Sequence, residues 1–301
     1  MDTGTKLKKV GFVWQGITGR YGYWKDGLYL AMKHLEKVYD VSYYEPTDNI
    51  EADIVLYWEA PCTINGQFRD NYLKVKNLPI KKALLFAGGP IQKEWLDGFD
   101  HVFVESKINA EELERLGVPH STAFGINEEI MKPMDLPKEY VGIHHGTCAS
   151  WKRQWLVGEA LKDKALIVGR NQESDSYPFR RCKEMGSTVL DEKEPEELAT
   201  LINKSQCVVQ TSDYWGGGQR CTLEGLACNL PVVVMDDSPK NREYIEESGC
   251  GVIVSPDVGN ITRGVNEVIH TDYGNRPRDY IMSKWTSRHY ADALIKVIDT
   301  L

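Results

Sequence analysis

The chain reads as an α/β protein built from two doubly wound, Rossmann-like domains, and three observations predict this. Short apolar runs alternate with amphipathic stretches along the whole chain, the pattern of parallel strands joined by helical crossovers. The alternation breaks at a polar, proline-spaced segment, residues 131–140, and then begins again. A chain of 301 residues also has room for two domains of roughly 150 residues each.

The elements follow in order. Lys9–Trp14 is a strand, and a glycine-rich loop, Gly16-Ile17-Thr18-Gly19-Arg20-Tyr21-Gly22, follows it. Leu28, Ala31, Leu35 and Val38 give a helix over 25–39. Strands follow at 41–44, 53–58, 82–86 and 101–105, with a helix over 109–116 that Gly117 closes. After the linker come a strand at 141–145, a helix over 152–161 and strands at 165–168, 207–210, 231–235 and 251–254. Residues 224–228 lie on a helix, and the amphipathic segment 277–301 is helical to the end. The domains are therefore expected at 1–135 and 136–278, with 279–301 as a closing helix. Ligands of such sheets bind at the carboxyl ends of the strands. Two facing edges would make a two-substrate site.

Composition excludes several classes. Residues 1–140 carry 17 basic and 21 acidic side chains and the remainder 19 and 23, so each half sits near −4 within a total of −8. Neither half carries the basic excess of a polyanion binder. The apolar stretch Val10–Trp14 is too short for a secretory leader, and no run approaches a membrane span. Seven scattered cysteines without a C-x-x-C pair support neither a zinc knuckle nor a disulfide framework. Free thiols in a reducing cytoplasm are the expected state.

The most informative stretch is Gly216–Pro231, GGGQRCTLEGLACNLP. Loop amides running into a helix N-terminus form an anion site suited to phosphate. Glu224, about one turn inside, can accept hydrogen bonds from vicinal ribose hydroxyls. The segment Leu223–Val232, with Glu243-Tyr244-Ile245 and Gly249–Val254 after it, resembles the nucleotide-sugar signature of GT-B glycosyltransferases, especially the retaining family 4. Gly125-Ile126-Asn127 and Ser283-Lys284-Trp285 resemble that family's turn before the linker and the start of its last helix.

The resemblance implies a GT-B fold whose C-terminal helix crosses back to the first domain. It also implies transfer of a sugar from a nucleotide-diphosphate sugar to an acceptor hydroxyl, with retention. UDP-sugars are the favoured donors; no cofactor and no metal are expected. Gly146 falls on the family's phosphate-site glycine and Lys152 on its phosphate lysine. Thr147 stands where the family has arginine, so Arg153 and Arg170 are the substitute cations. Lys152 and Glu224 are the residues expected to carry the chemistry, Lys152 because a departing diphosphate develops charge that a fixed cation stabilises. The family's first motif glutamate falls on Gly216. Gly217, Gly218, Gln219 and Arg220 fill that loop, with Thr222 behind them, and Leu190 is placed at the nucleobase. In the first domain Gly16 and Gly19 fall on the loop facing the donor phosphates, and Arg20, Tyr21, Glu59 and Gly88 are acceptor candidates.

Of His144 and His145, one can reach the cleft, against a structural hydrogen-bonded role for both. Asp236-Asp237 reads as a cap and turn before Ser238-Pro239. The acceptor stays open between a glycan and a hydroxylated DNA base, the latter supported by the lysines at 74, 76, 81 and 82. A non-catalytic nucleotide-sugar-binding module is the reading from another class. Oligomeric state is not legible.

Overall fold

The computed structural model describes residues 7–17, 25–60, 66–171, 177–214 and 219–301. The chain divides into two compact units, Met1–Gly125 with Ser287–Leu301, and Ile126–Thr286.

The first unit is a six-stranded parallel sheet ordered β2-β1-β3-β4-β5-β6. Its strands are β1 (Lys9–Trp14), β2 (Asp40–Tyr44), β3 (Ile54–Glu59), β4 (Lys81–Phe86), β5 (His101–Val104) and β6 (His120–Thr122). Helices α1 (Gly27–Leu35), α2 (Gly66–Lys76), α3 (Lys93–Leu96) and α4 (Lys107–Leu116) connect them. Asp26 caps α1 by accepting the Tyr29 amide proton, and Ser106 caps α4 through Asn109. Val55, Tyr57, Tyr72, Leu84, Phe86 and Leu113 are the centre of its core.

The second unit is also six parallel strands, ordered β12-β11-β10-β7-β8-β9. These are β7 (Tyr140–His145), β8 (Ala165–Val168), β9 (Thr188–Leu190), β10 (Ser205–Gln210), β11 (Val232–Met235) and β12 (Gly251–Val254). Helices α5 (Gln154–Leu161), α6 (Tyr177–Glu184), α7 (Pro195–Asn203), α8 (Gln219–Ala227), α9 (Pro239–Ser248), α10 (Val258–Ile269) and α11 (Arg276–Lys284) flank it. Val157, Ile167, Val209, Val233, Ile261 and Val265 pack the core on one face.

Three sequence expectations change. The segment 126–135, assigned to the first domain, belongs to the second unit. Asn203 accepts the Met134 amide proton and donates to the Lys132 carbonyl, and Lys138 donates to the carbonyls of Asn203 and Ser205. The terminal segment is two helices rather than one: after α11 the backbone leaves helical geometry so that Ile126 can pair with Thr286 and donate to the Trp285 carbonyl. Only α12 (Ser287–Ile298) joins the first unit, where it packs on α1 and receives Lys8 at its Ile298 carbonyl (2.8 Å). Lastly, Lys152 does not begin a helix. It closes a 3₁₀ turn, Ser150–Lys152, and Arg153 then takes a left-handed conformation (φ 51°) before α5 starts. No described helix is long and apolar enough to cross a membrane.

Candidate functional site

Strand order locates the site. Counted from β7, the second sheet runs 3-2-1-4-5-6, so its order reverses between β7 and β10. Connections leave these two strands for opposite sides, which opens a crevice outside their carboxyl ends. His145 and Gly146 stand at one rim of that switch point, Gln210 and Thr211 at the other. In the first sheet the reversal lies between β1 and β3. There Trp14 meets Trp58 edge to face at 4.9 Å, with Gly16 and Glu59 following.

The end of β7 lies against the end of β8 for a steric reason. Gly146 has φ +114°, and its carbonyl oxygen lies 1.7 Å from the place a Cβ on Gly169 would occupy. Only glycine at both positions lets the ends of β7 and β8 approach this closely, with the Gly146 amide on the Val168 carbonyl at 3.0 Å.

Helix α8 is seated with similar firmness. All its residues but Arg220 are buried. It ends in a Schellman turn: Asn229 is left-handed (φ 63°), Leu230 donates to the Gly225 carbonyl and Asn229 to that of Leu226. Its rotation is fixed by Thr222, whose hydroxyl donates to Asn241 (2.8 Å), which in turn donates to Ser238.

These supports bring His145 and Glu224 together. Nε2 of His145 lies 2.9 Å from Oε2 of Glu224, with side chains 1% and 9% exposed. The Cys221 sulfur, one turn before Glu224, lies within 4.8 Å of both groups. Burial opposes charge on His145, but the Cys221 thiol and the Glu224 carboxylate outweigh it and raise its pKa to about 10. Its neighbour His144, fully buried, goes the other way. Burial, then the charges of Lys152 and His145, push it well below the usual histidine range, so it stays neutral. Lys152 is itself buried, and its carbonyl accepts the Thr211 hydroxyl (2.7 Å), which ties the phosphate-lysine turn to the end of β10.

The other expected residues are placed as follows. Gly146, Thr147, Arg170 and Leu190 all lie at carboxyl ends of β7, β8 and β9; Thr147 accepts from Gln154 and Leu190 from Gly169. Gln219 and Arg220 form the first turn of α8, Gln219 buried and Arg220 half-buried. Thr222 is fully buried, and its hydroxyl donates to Asn241. Arg153 forms a bidentate ion pair with Asp237 at 2.7 Å on both nitrogens and donates through Nε to the Thr211 carbonyl. It is a brace between two strand ends rather than a free cation. Asp236 accepts from the Ser255 hydroxyl and Asp237 from Arg153, so these two side chains tie strand ends together, and Ser238 makes no side-chain capping bond.

In the first unit the Gly16 amide donates to Glu45 (2.9 Å). Glu59 accepts from the Ala60 amide, and burial holds its carboxyl above the usual range. Gly88 follows β4 with φ +108°. Gly19, Arg20, Tyr21, Gly217 and Gly218 lie outside the described residues.

Sequence reasoning missed the His145–Glu224 pair and the Arg153–Asp237 brace. A signal for the first existed: Cys221 and Glu224 are three apart on one helix, hence on one face, and His145 adjoins the phosphate-site glycine.

The fold is the one that GT-B glycosyltransferases share. Residues 138–283 match the family model described as glycosyl transferases group 1. No curated protein matches the chain in sequence. Among solved structures it resembles a sucrose-phosphate synthase from Thermosynechococcus elongatus (13% identity, TM-score 0.73, covering 97% of this chain and 98% of that one). It also resembles a glycosyltransferase from Rickettsia africae (16%, 0.70, 97% and 98%). A third is Anabaena HepE in complex with UDP and glucose (13%, 0.71, 98% and 100%).

Proposed function

We propose that the chain transfers a sugar from a UDP-sugar to an acceptor hydroxyl, with retention and without a bound metal, as family 4 members do. The observation that carries this reading is the convergence of Lys152, Gly146 and Glu224 at the switch point of the second sheet. That crevice is where doubly wound sheets bind nucleotides. The complexes of Anabaena HepE with UDP and with UDP-glucose support UDP as the nucleotide.

In this reading Glu224 accepts the ribose hydroxyls. Lys152 and the first-turn amides of α8 stabilise the charge that develops on the departing diphosphate. Arg170 and Arg220 flank them. The nucleobase lies by Leu190, and the diphosphate oxygen takes the acceptor's proton. Glu59 and Gly88 of the first unit are the described acceptor candidates, and Gly16 belongs to the loop expected at the donor phosphates.

A glycan or small hydroxyl acceptor is favoured over a DNA base. The lysines that suggested DNA are committed within their own unit. Lys74 donates to the carbonyls of Thr47 and Asp48, and Lys76 to that of Glu94. Lys81 pairs with Asp100, and the buried Lys82 donates to Leu78 and Ile80.

The test is a thermal-shift panel with UDP, GDP, ADP and their glucose conjugates, each with and without EDTA, on the parent, Lys152→Ala and Glu224→Ala. A ligand at a hundred times its Kd stabilises by about 2.7 kcal/mol. A UDP-selective, EDTA-insensitive shift lost in both variants is the expected result. No shift at millimolar ligand would leave a module that has given up sugar donors. NMR of the product anomer then tests retention.

A further inference from the structure

The expected ribose ligand Glu224 is not a surface carboxylate. It is nearly buried, and a buried carboxylate without a partner takes up a proton instead of staying charged. One oxygen, Oε2, faces Nε2 of His145 at 2.9 Å, while Oε1 has no hydrogen-bond partner among the described residues. From this geometry, and resting on the donor site proposed above, we infer that His145 is the positioning residue for ribose recognition: it holds Oε2 so that Oε1 is presented in one orientation to the ribose diol.

The supports around the pair agree with this role. The Gly146–Gly169 approach fixes the backbone next to His145, and the Thr222–Asn241–Ser238 chain fixes the rotation of α8. Both partners are thus delivered by elements that cannot slide. With Nδ1 of His145 unpartnered and Nε2 facing a carboxylate oxygen, the tautomer with its proton on Nε2 is the one that makes this bond. Among the described residues, Cys221 on α8 faces His145, and Cys228, just past the end of that helix, faces Glu224.

The same three side chains, His145, Cys221 and Glu224, are a donor set that a zinc ion can use. The hydrogen bond between Nε2 and Oε2 closes two of those donor atoms on each other, which favours the positioning role. The experiment separates the two.

KM and kcat are measured with UDP-glucose and with its 2′-deoxyribose analogue for the parent, His145→Gln and His145→Val, each checked by thermal melting and before and after chelation. The parent is expected to prefer the ribo donor about tenfold, the size of a hydrogen bond to a charged group. His145→Val is expected to raise KM about tenfold with kcat within threefold and to lose the ribo/deoxy preference. His145→Gln, which keeps an N–H donor, is expected to recover most of the preference. If His145→Val does not fold, His145→Gln carries the test through its ribo/deoxy ratio. A parent that binds UDP yet does not distinguish the two donors overturns the inference, and so does a His145 variant that keeps the full preference. Loss of activity on chelation with recovery on adding zinc overturns it in favour of a metal site. A parent that binds no UDP refutes the donor reading itself.

Discussion

Replacing Gly225 by alanine sets two effects of similar size against each other. Glycine inside a helix costs roughly 1 kcal/mol relative to alanine, so the change would stabilise α8 if nothing stood in the way. Something does. A Cβ at 225 would sit 2.6 Å from Cγ2 and 3.0 Å from Cβ of Val208, on β10 beneath the helix. Val208 is fully buried and β-branched, so it cannot rotate clear. To recover an ordinary contact, α8 must rise from the sheet by about 1 Å, and overpacking of this kind costs about 1–3 kcal/mol. The net expectation is a loss of about 1–2 kcal/mol, read from the urea midpoint at unchanged slope. The same rise lengthens the 2.9 Å bond between Glu224 and His145 beyond hydrogen-bond range, so UDP affinity should fall as well. Removing the obstacle tests the cause. In Gly225→Ala with Val208→Ala the two changes should couple favourably by about 1 kcal/mol or more, and UDP affinity should recover. A single variant as stable as the parent, or a double variant that is merely additive, would refute the claim that Gly225 sets the seat of α8.

Further outcomes follow from the same geometry. Asp237→Ala unties Arg153; because Asp237 is 42% exposed, the loss should be about 1 kcal/mol or less and should shrink in high salt. The two adjacent histidines give stability a maximum close to neutral pH. His145, raised to about 10, contributes fully below the ordinary histidine value and loses its contribution as pH rises from about 6.5 through 10. His144, held well below its ordinary value, costs stability as pH falls below about 6.5, since only the unfolded chain then takes its proton. His145→Gln should therefore flatten the alkaline side of a melting-temperature profile and leave the acid side in place. Burial pushes the Cys182, Cys207 and Cys228 thiols up to about 12, so mass mapping after brief thiol labelling of the native protein at pH 8 should find all three unlabelled; rapid labelling would contradict their burial.

What the sequence disclosed and what it withheld divide along one physical line. Strands β1, β8 and β12 are legible as apolar runs between turn signals, because those signals are local. Helix α2 is hard to read because its apolar residues are few among polar ones, and β6 because three residues carry no periodicity. The break at Trp285-Thr286 is a tertiary override: the local pattern continues a helix, but pairing with Ile126, some 160 residues earlier, is worth more. The site shows the same limit. Arg153 reads as a spare cation beside Lys152 until Asp237, 84 positions away, is seen to take both its nitrogens. Glu224 reads as a helix carboxylate reaching for ribose until His145, 79 positions earlier, is seen to hold half of it. Residue type at a given spacing says which groups are present near a strand end. Which of them remains free to meet a ligand depends on strand order, since only the adjacency of β7 and β10 brings these partners to one crevice. For this chain the consequence is specific: Arg153 is taken up by Asp237 and the Thr211 carbonyl, so exchanging Arg153 should change stability more than donor affinity.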